Sequence, residues 1–181
     1  MIVELGLLFA CAAFGLSVGQ ALLLAQAARK QDVALLASGR WAAGMASVFA
    51  AMALLALIAC FLQSDFSVAV VAHNSHPNKP LIYKIAGAWG NHEGSMLLWC
   101  LVACVYGFAA ASRAPKDGAD ASWLDARAAS VQGLIAALSF GYLLMASNPF
   151  ARLDPAPLRG ADLNPLLQDP ALAAHPPILY M

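Results

Sequence analysis

The chain has 181 residues, of which 61% are hydrophobic and only 11% charged, against about 25% charged in an ordinary soluble domain. Ten Lys and Arg balance ten Asp and Glu, so no basic excess points to nucleic acid and no acidic tail is present. A soluble core of this length has no use for so much apolar material, whereas a bilayer does, and the sequence reads as an all-α integral membrane protein.

A membrane helix takes about 20 apolar residues, and about four windows of that kind occur: 5–28, 41–62, 94–112 and 128–147. The first could be mistaken for a cleaved leader. Glu4 precedes it, no basic stretch stands in front, and it runs uncharged for longer than a leader needs, so a retained span is expected. Small residues recur within the spans: Gly15, Ser17 and Gly19 in the first, Gly44 and Ser47 in the second. They suit either close helix–helix approach in lipid or alanine-rich filler. Cys11, Cys60, Cys100 and Cys104 all sit in apolar runs, with no C-x-x-C among them. They read as small packed hydrophobes, and the chain is not itself a c-type cytochrome.

Orientation follows the Lys and Arg of the loops. The connectors 29–40 and 113–127 hold six of the ten: Arg29, Lys30, Arg40, Arg113, Lys116 and Arg127. They are expected on the cytoplasmic side. The N-terminus, segment 63–93 and segment 148–181 then face outward, toward the periplasm of a bacterial inner membrane. Segment 63–93 contains two apolar stretches, 66–72 and 81–89, too short to span and suited to the interface. Segment 148–181 holds Pro149, Pro155, Pro157, Pro165, Pro170, Pro176 and Pro177, and so reads as a mostly non-repetitive surface.

Three places could carry chemistry. The densest is the run Trp89-Gly-Asn-His-Glu-Gly-Ser-Met-Leu-Leu-Trp99, at the entry to the third span. His92, Met96 and Trp99 share a helical face there, with Glu93 at its edge. The second histidine of a zinc-protease helix would fall at position 96, which is Met. The run reads as a polar helix start with Trp89 and Trp99 as interfacial anchors, or as a ligand-facing site. His73 and His76 lie three apart without further ligands nearby, which favours a solvated loop. His175 precedes Pro176 and Pro177, and the prolines are expected to open a helix that presents the ring at its start. That imidazole is either a capping group or an axial ligand for haem iron.

Longer strings point further. Tyr83-Lys84, Trp89-Gly-Asn-His-Glu-Gly-Ser95 and Leu97-Leu-Trp99, followed by Ser147-Asn-Pro-Phe150, Asp162-Leu-Asn-Pro-Leu-Leu-Gln-Asp-Pro170 and His175-Pro-Pro-Ile-Leu-Tyr-Met181, resemble blocks of the CcmF/NrfE family of cytochrome c haem lyase subunits, in the family's order. The resemblance covers the whole chain. It implies a protein that receives haem from the chaperone CcmE and works with CcmH- and CcmI-type subunits. Together they join haem vinyl groups to the cysteines of apocytochrome c. It implies that His175 is the first of two external histidines that ligate the incoming haem; Trp89, His92, Glu93 and Trp99, from the residues alone, stand as structural or haem-proximal candidates. Haem b is expected as both substrate and cofactor, with no other metal. The family continues past the position of Met181 into a further span and a tryptophan-rich segment. The chain is therefore expected to be the N-terminal portion of a larger helical bundle, inactive alone, with the second histidine and the haem b ligands elsewhere. The competing expectations are a non-catalytic membrane scaffold in the maturation complex and a haem transporter component.

Overall fold

A computed structural model describes residues 1–113, 123–161 and 169–180. Its helices are α1 (Ile2–Lys30), α2 (Val33–Gln63), α3 (Ala69–Asn74), α4 (Leu81–Gly87), α5 (His92–Arg113), α6 (Trp123–Ala146) and α7 (Pro170–Tyr180). Among the described residues there is no strand, only an isolated antiparallel bridge between Val68 and Arg152. Helices α1, α2, α5 and α6 are long and apolar enough to cross a membrane. They are apolar around much of their circumference, with Leu8, Leu22, Leu55, Leu134, Leu138 and Met145 exposed, as suits helices surrounded by lipid or by further helices.

The helix ends depart from the hydropathy windows, because a backbone continues until something stops it. The connector expected over 29–40 reduces to Gln31 and Asp32. Gln31 adopts φ 54°, in the left-handed region, and Asp32 N–H donates back to Ala27 O at 3.2 Å, closing α1. Asp32 then opens α2: its Oδ1 accepts from Ala34 N at 2.8 Å and Leu35 N at 3.2 Å, as an N-cap does. Arg40 therefore lies inside α2, where its Nε donates to Ala111 O at 3.0 Å. Arg127 likewise lies inside α6, which begins at Trp123. Lys116 lies outside the described residues.

The chain forms two compact units. One comprises 10–51 and 100–141. Its apolar core gathers Leu24, Ala27, Leu36, Ala43, Trp123 and Ala126. Polar side chains join its helices through backbone carbonyls, a device suited to lipid. Gln20 Nε2 donates to Ala129 O at 2.8 Å, Ser130 Oγ to Ala21 O at 2.8 Å and Gln132 Nε2 to Ala103 O at 3.3 Å. The glycines that matter here are not those of the first span's small-residue row, since Gly15 and Gly19 face open space. A Cβ at Gly39 would meet Leu24 at 2.5 Å, and Gly107 and Gly133 leave the room that the buried Gln20 side chain fills. Gly44 does approach a neighbour, the Phe108 ring, at 3.2 Å. Cys100 and Cys104 are buried, with Cys104 Sγ 3.8 Å from Ser17 Oγ.

The other unit comprises 1–9, 52–99 and 142–181. Phe61, Val68, Val71, Leu97, Leu143 and Phe150 are buried in it. Segment 148–161 is laid against segment 63–80 by backbone bonds: Ala69 N to Ala151 O at 2.8 Å, Leu153 N to Ser67 O at 2.8 Å, and Ala161 N to Ala72 O at 2.7 Å. Arg152 reaches both Ser67 and the Glu4 carboxylate. The two apolar stretches of segment 63–93 coil into α3 and α4, whose Val70, Val71, Ala72, Ala86 and Gly87 are buried in the protein, while Leu81 and Ile82 stay exposed. The proline-rich end is less irregular than its composition implies, because it contains α7. Residues 162–168, part of the block that carries the family resemblance, lie outside the described residues.

Candidate functional site

The run that starts α5 is a tight corner. Leaving α4, Trp89 N–H and Gly90 N–H both donate to Ala86 O, at 3.1 and 2.8 Å. Asn91 caps α5: its Oδ1 accepts from Gly94 N at 2.7 Å while its Nδ2 donates back to Gly87 O at 2.6 Å. Ser95 Oγ donates to Trp89 O at 2.6 Å. Gly94 has no substitute, since a Cβ there would stand 1.7 Å from Ala88 O. Most of the run is thus architecture, and what the architecture fixes is the backbone of Trp89 on both sides.

His92 and Glu93 occupy the first turn of α5. Glu93 is half-buried, and a carboxylate there complements the positive end of the helix. The exposed His92 has Nδ1 2.9 Å from Ser147 Oγ. Its ring stands edge-on to Tyr142, with centroids 6.4 Å apart and planes at 70°. Ser147 begins the turn after α6, where Asn148 Oδ1 accepts from Phe150 N at 2.9 Å and the Phe150 ring fills the space left by Gly6. Two of the strings singled out in the sequence therefore meet at a His92–Ser147 contact. Trp99, further along α5, is 37% exposed and stands apart from this cluster.

His175 is not at a helix start. Helix α7 begins at Pro170, with Asp169 Oδ1 accepting from Ala171 N at 2.8 Å, so Asp169 caps the helix and Pro170 takes its first position. Pro176 and Pro177 lie inside the helix. The expectation that the proline pair opens a helix is overturned, because Asp169-Pro170 is the stronger start signal and an outside donor supports the carbonyl that Pro177 cannot serve. That donor is Trp89, whose Nε1 reaches Ala173 O at 2.8 Å. His175 itself is exposed in mid-helix.

An open cleft of about 440 Å³ lies where the corner and α7 meet, lined by Trp89, His92, Ser95, Met96, Pro176 and Tyr180 among others. Three of the sequence candidates thus come into one neighbourhood: Trp89 and His92 in the lining, and His175 beside Pro176. Ser147 and Tyr180 were not anticipated as part of it. Both belong to strings singled out in the sequence, but nothing in those strings gives either a place beside His92. His73 is exposed in α3, and His76 Nδ1 accepts from Asn78 N at 3.3 Å in the following turn. Among the described residues no three His, Cys, Asp or Glu side chains come together as a metal site.

Among the described residues, four membrane-length helices, with two short helices and α7 gathered around one polar corner, define a multi-pass helical membrane protein. The chain belongs to the cytochrome c assembly protein family, whose model matches residues 89–181, from the corner tryptophan through α7. It is 52% identical over 131 residues to the cytochrome c-type biogenesis protein ccl1 of Rhodobacter capsulatus, a match covering 72% of this chain and 20% of that protein. It is 42% identical over 181 residues to the cytochrome c-type biogenesis protein CycK of Bradyrhizobium diazoefficiens, covering 100% of this chain and 27% of the relative. Among solved structures it is similar to the cytochrome c haem lyase CcmF, with a TM-score of 0.79 at 27% identity over 99% of this chain and 28% of that one. The chain therefore spans about a quarter or less of the length of these curated relatives.

Proposed function

We propose that this chain forms part of a cytochrome c haem lyase in a bacterial inner membrane, and that His175 supplies one axial ligand to the haem being transferred. The observation that carries this reading is the placement of His175. It is an exposed imidazole on α7, inside the segment matched by the family model, with no described residue hydrogen-bonded to its ring. A ring in that state fits one coordination position of haem iron. One histidine fills one axial position and leaves the other for a second ligand.

In this reading the N-terminus, segment 63–93 and segment 148–181 face the periplasm. In support of a common side for the three, an even number of membrane-length helices separates them, and the Arg152–Glu4 pair joins two of them within one unit. Haem b is the substrate, and it contributes the vinyl groups to which apocytochrome c cysteines become bonded through thioethers. What this chain does is hold and orient: α7 presents His175, and the cleft lined by Trp89, His92, Met96 and Tyr180 offers an apolar and aromatic wall beside it. The partners of this reading are the haem chaperone CcmE, CcmH- and CcmI-type subunits, apocytochrome c and membrane lipid.

The test is His175→Gly in the full-length protein. The expected result is loss of the haem absorption band and of cytochrome c maturation, with the band restored by added imidazole. Undiminished haem and maturation would remove the ligand role. The remaining role would be a scaffold that holds partner proteins through segments 63–93 and 148–181.

A further inference from the structure

Pro177 has no N–H, so the carbonyl one turn back, Ala173 O, has no donor within α7. A helix interior that contains such a carbonyl must find a donor elsewhere or open toward water. Here the donor is the indole N–H of Trp89, at 2.8 Å. Trp89 and Ala173 are 84 residues apart in the chain, and Ala173 lies two residues before His175 on the same helix.

The indole is well placed for this because its backbone has little freedom. Trp89 N–H is bonded to Ala86 O and Trp89 O to Ser95 Oγ, and Asn91 locks the start of α5. The ring lines two recesses. One is shared with Ile85, Ala86, Pro170 and Ala174, and the other with His92, Met96 and Tyr180. It stands as a wedge between the α4–α5 corner and α7. Indole is a donor only, so the bond has one polarity and no competing use for the ring nitrogen.

We propose that Trp89 is a positioning residue for His175: its indole N–H substitutes for the backbone donor that Pro177 lacks, and so fixes the direction in which α7 presents the imidazole. The Trp-Gly-Asn-His-Glu-Gly-Ser run and the His-Pro-Pro run are then two halves of one device. Pro177 frees the Ala173 carbonyl, and the corner supplies the group that reads it. The haem consequence rests on the ligand reading of His175. The hydrogen bond and its effect on α7 do not.

A double-mutant cycle in the full-length protein tests this, using Trp89→Phe, Pro177→Ala and the pair. Trp89→Phe keeps an aromatic ring but removes the donor, and Pro177→Ala restores a backbone donor to Ala173 O. The expected result is that Trp89→Phe alone weakens haem binding by roughly 5–10-fold, the size of one lost hydrogen bond, with the melting temperature little changed. In the Pro177→Ala background the same change should weaken binding less than twofold. Hydrogen exchange over α7 should follow the same pattern without haem, rising in Trp89→Phe and returning in the pair. An equal loss in both backgrounds would show that the ring acts by packing alone and would overturn the inference, as would no loss in either. If His175→Gly keeps its haem while the exchange cycle behaves as expected, the ligand reading fails and the Trp89–α7 coupling stands.

Discussion

Gly94 has Ala88 O standing 1.7 Å from where a Cβ would be, and that oxygen belongs to backbone held in the turn after α4. Gly94→Ala is expected to destabilise the protein by about 3 kcal/mol, because backbone, unlike a flexible side chain, cannot move aside cheaply. Gly15→Ala, where nothing stands within 4 Å, is expected to be neutral or to stabilise by roughly 0.5 kcal/mol through helix propensity. Thermal melts of the two variants in detergent check the pair, and equal effects would contradict the corner geometry. In the sequence both are glycines near small or polar neighbours. What distinguishes them is the tight turn between α4 and α5, whose Ala88 O lies a few residues before Gly94 and leaves no room for a Cβ. His92 is a similar case: its position at a helix start was legible, and its contact with Ser147 was not.

At the scale of elements, spans were legible and ends less so. Hydropathy marks where a helix must be apolar, not where its backbone stops, and so Arg40 and Arg127 were assigned to connectors although both lie inside helices. The signal for the start of α2 was present in Asp32. Asp32→Ala is expected to lose about 1 kcal/mol, as helix caps do, measurable by denaturation of the purified protein. Between helices, Ser130→Ala removes one bond to Ala21 O and should lose about 0.6–1 kcal/mol. Gln20→Ala also opens a space between Gly107 and Gly133 and should lose about 2–3 kcal/mol. A reversed order of these two would mean that Gln20 does not fill that space. For α7, two adjacent prolines inside a helix contradict local rules. The rule is broken where Trp89 supplies a donor from 84 residues away.

For the molecule as a whole, parity and charge together make an orientation prediction that can be checked directly. In a cysteine-free background, His76→Cys is expected to react with a membrane-impermeant thiol reagent added outside the inner membrane. Asp32→Cys is expected to react only after the cytoplasmic side is opened. The reverse pattern would invert the proposed topology and move His175 to the wrong face for a periplasmic client.

The sequence by itself determined the class of protein, the four spans and the family, because each rests on information that adds along the chain. Apolar residues accumulate into spans, and fixed strings such as Trp89–Ser95 and His175–Met181 carry the likeness. Only the tertiary structure decided which glycines of the spans are crowded, which residue faces His92, and where the carbonyl that Pro177 frees finds its donor. Those outcomes depend on donors, acceptors and volumes brought together from distant parts of the chain, and a hydrogen bond of 2.8 Å between Trp89 and Ala173 leaves no mark on either residue's local sequence.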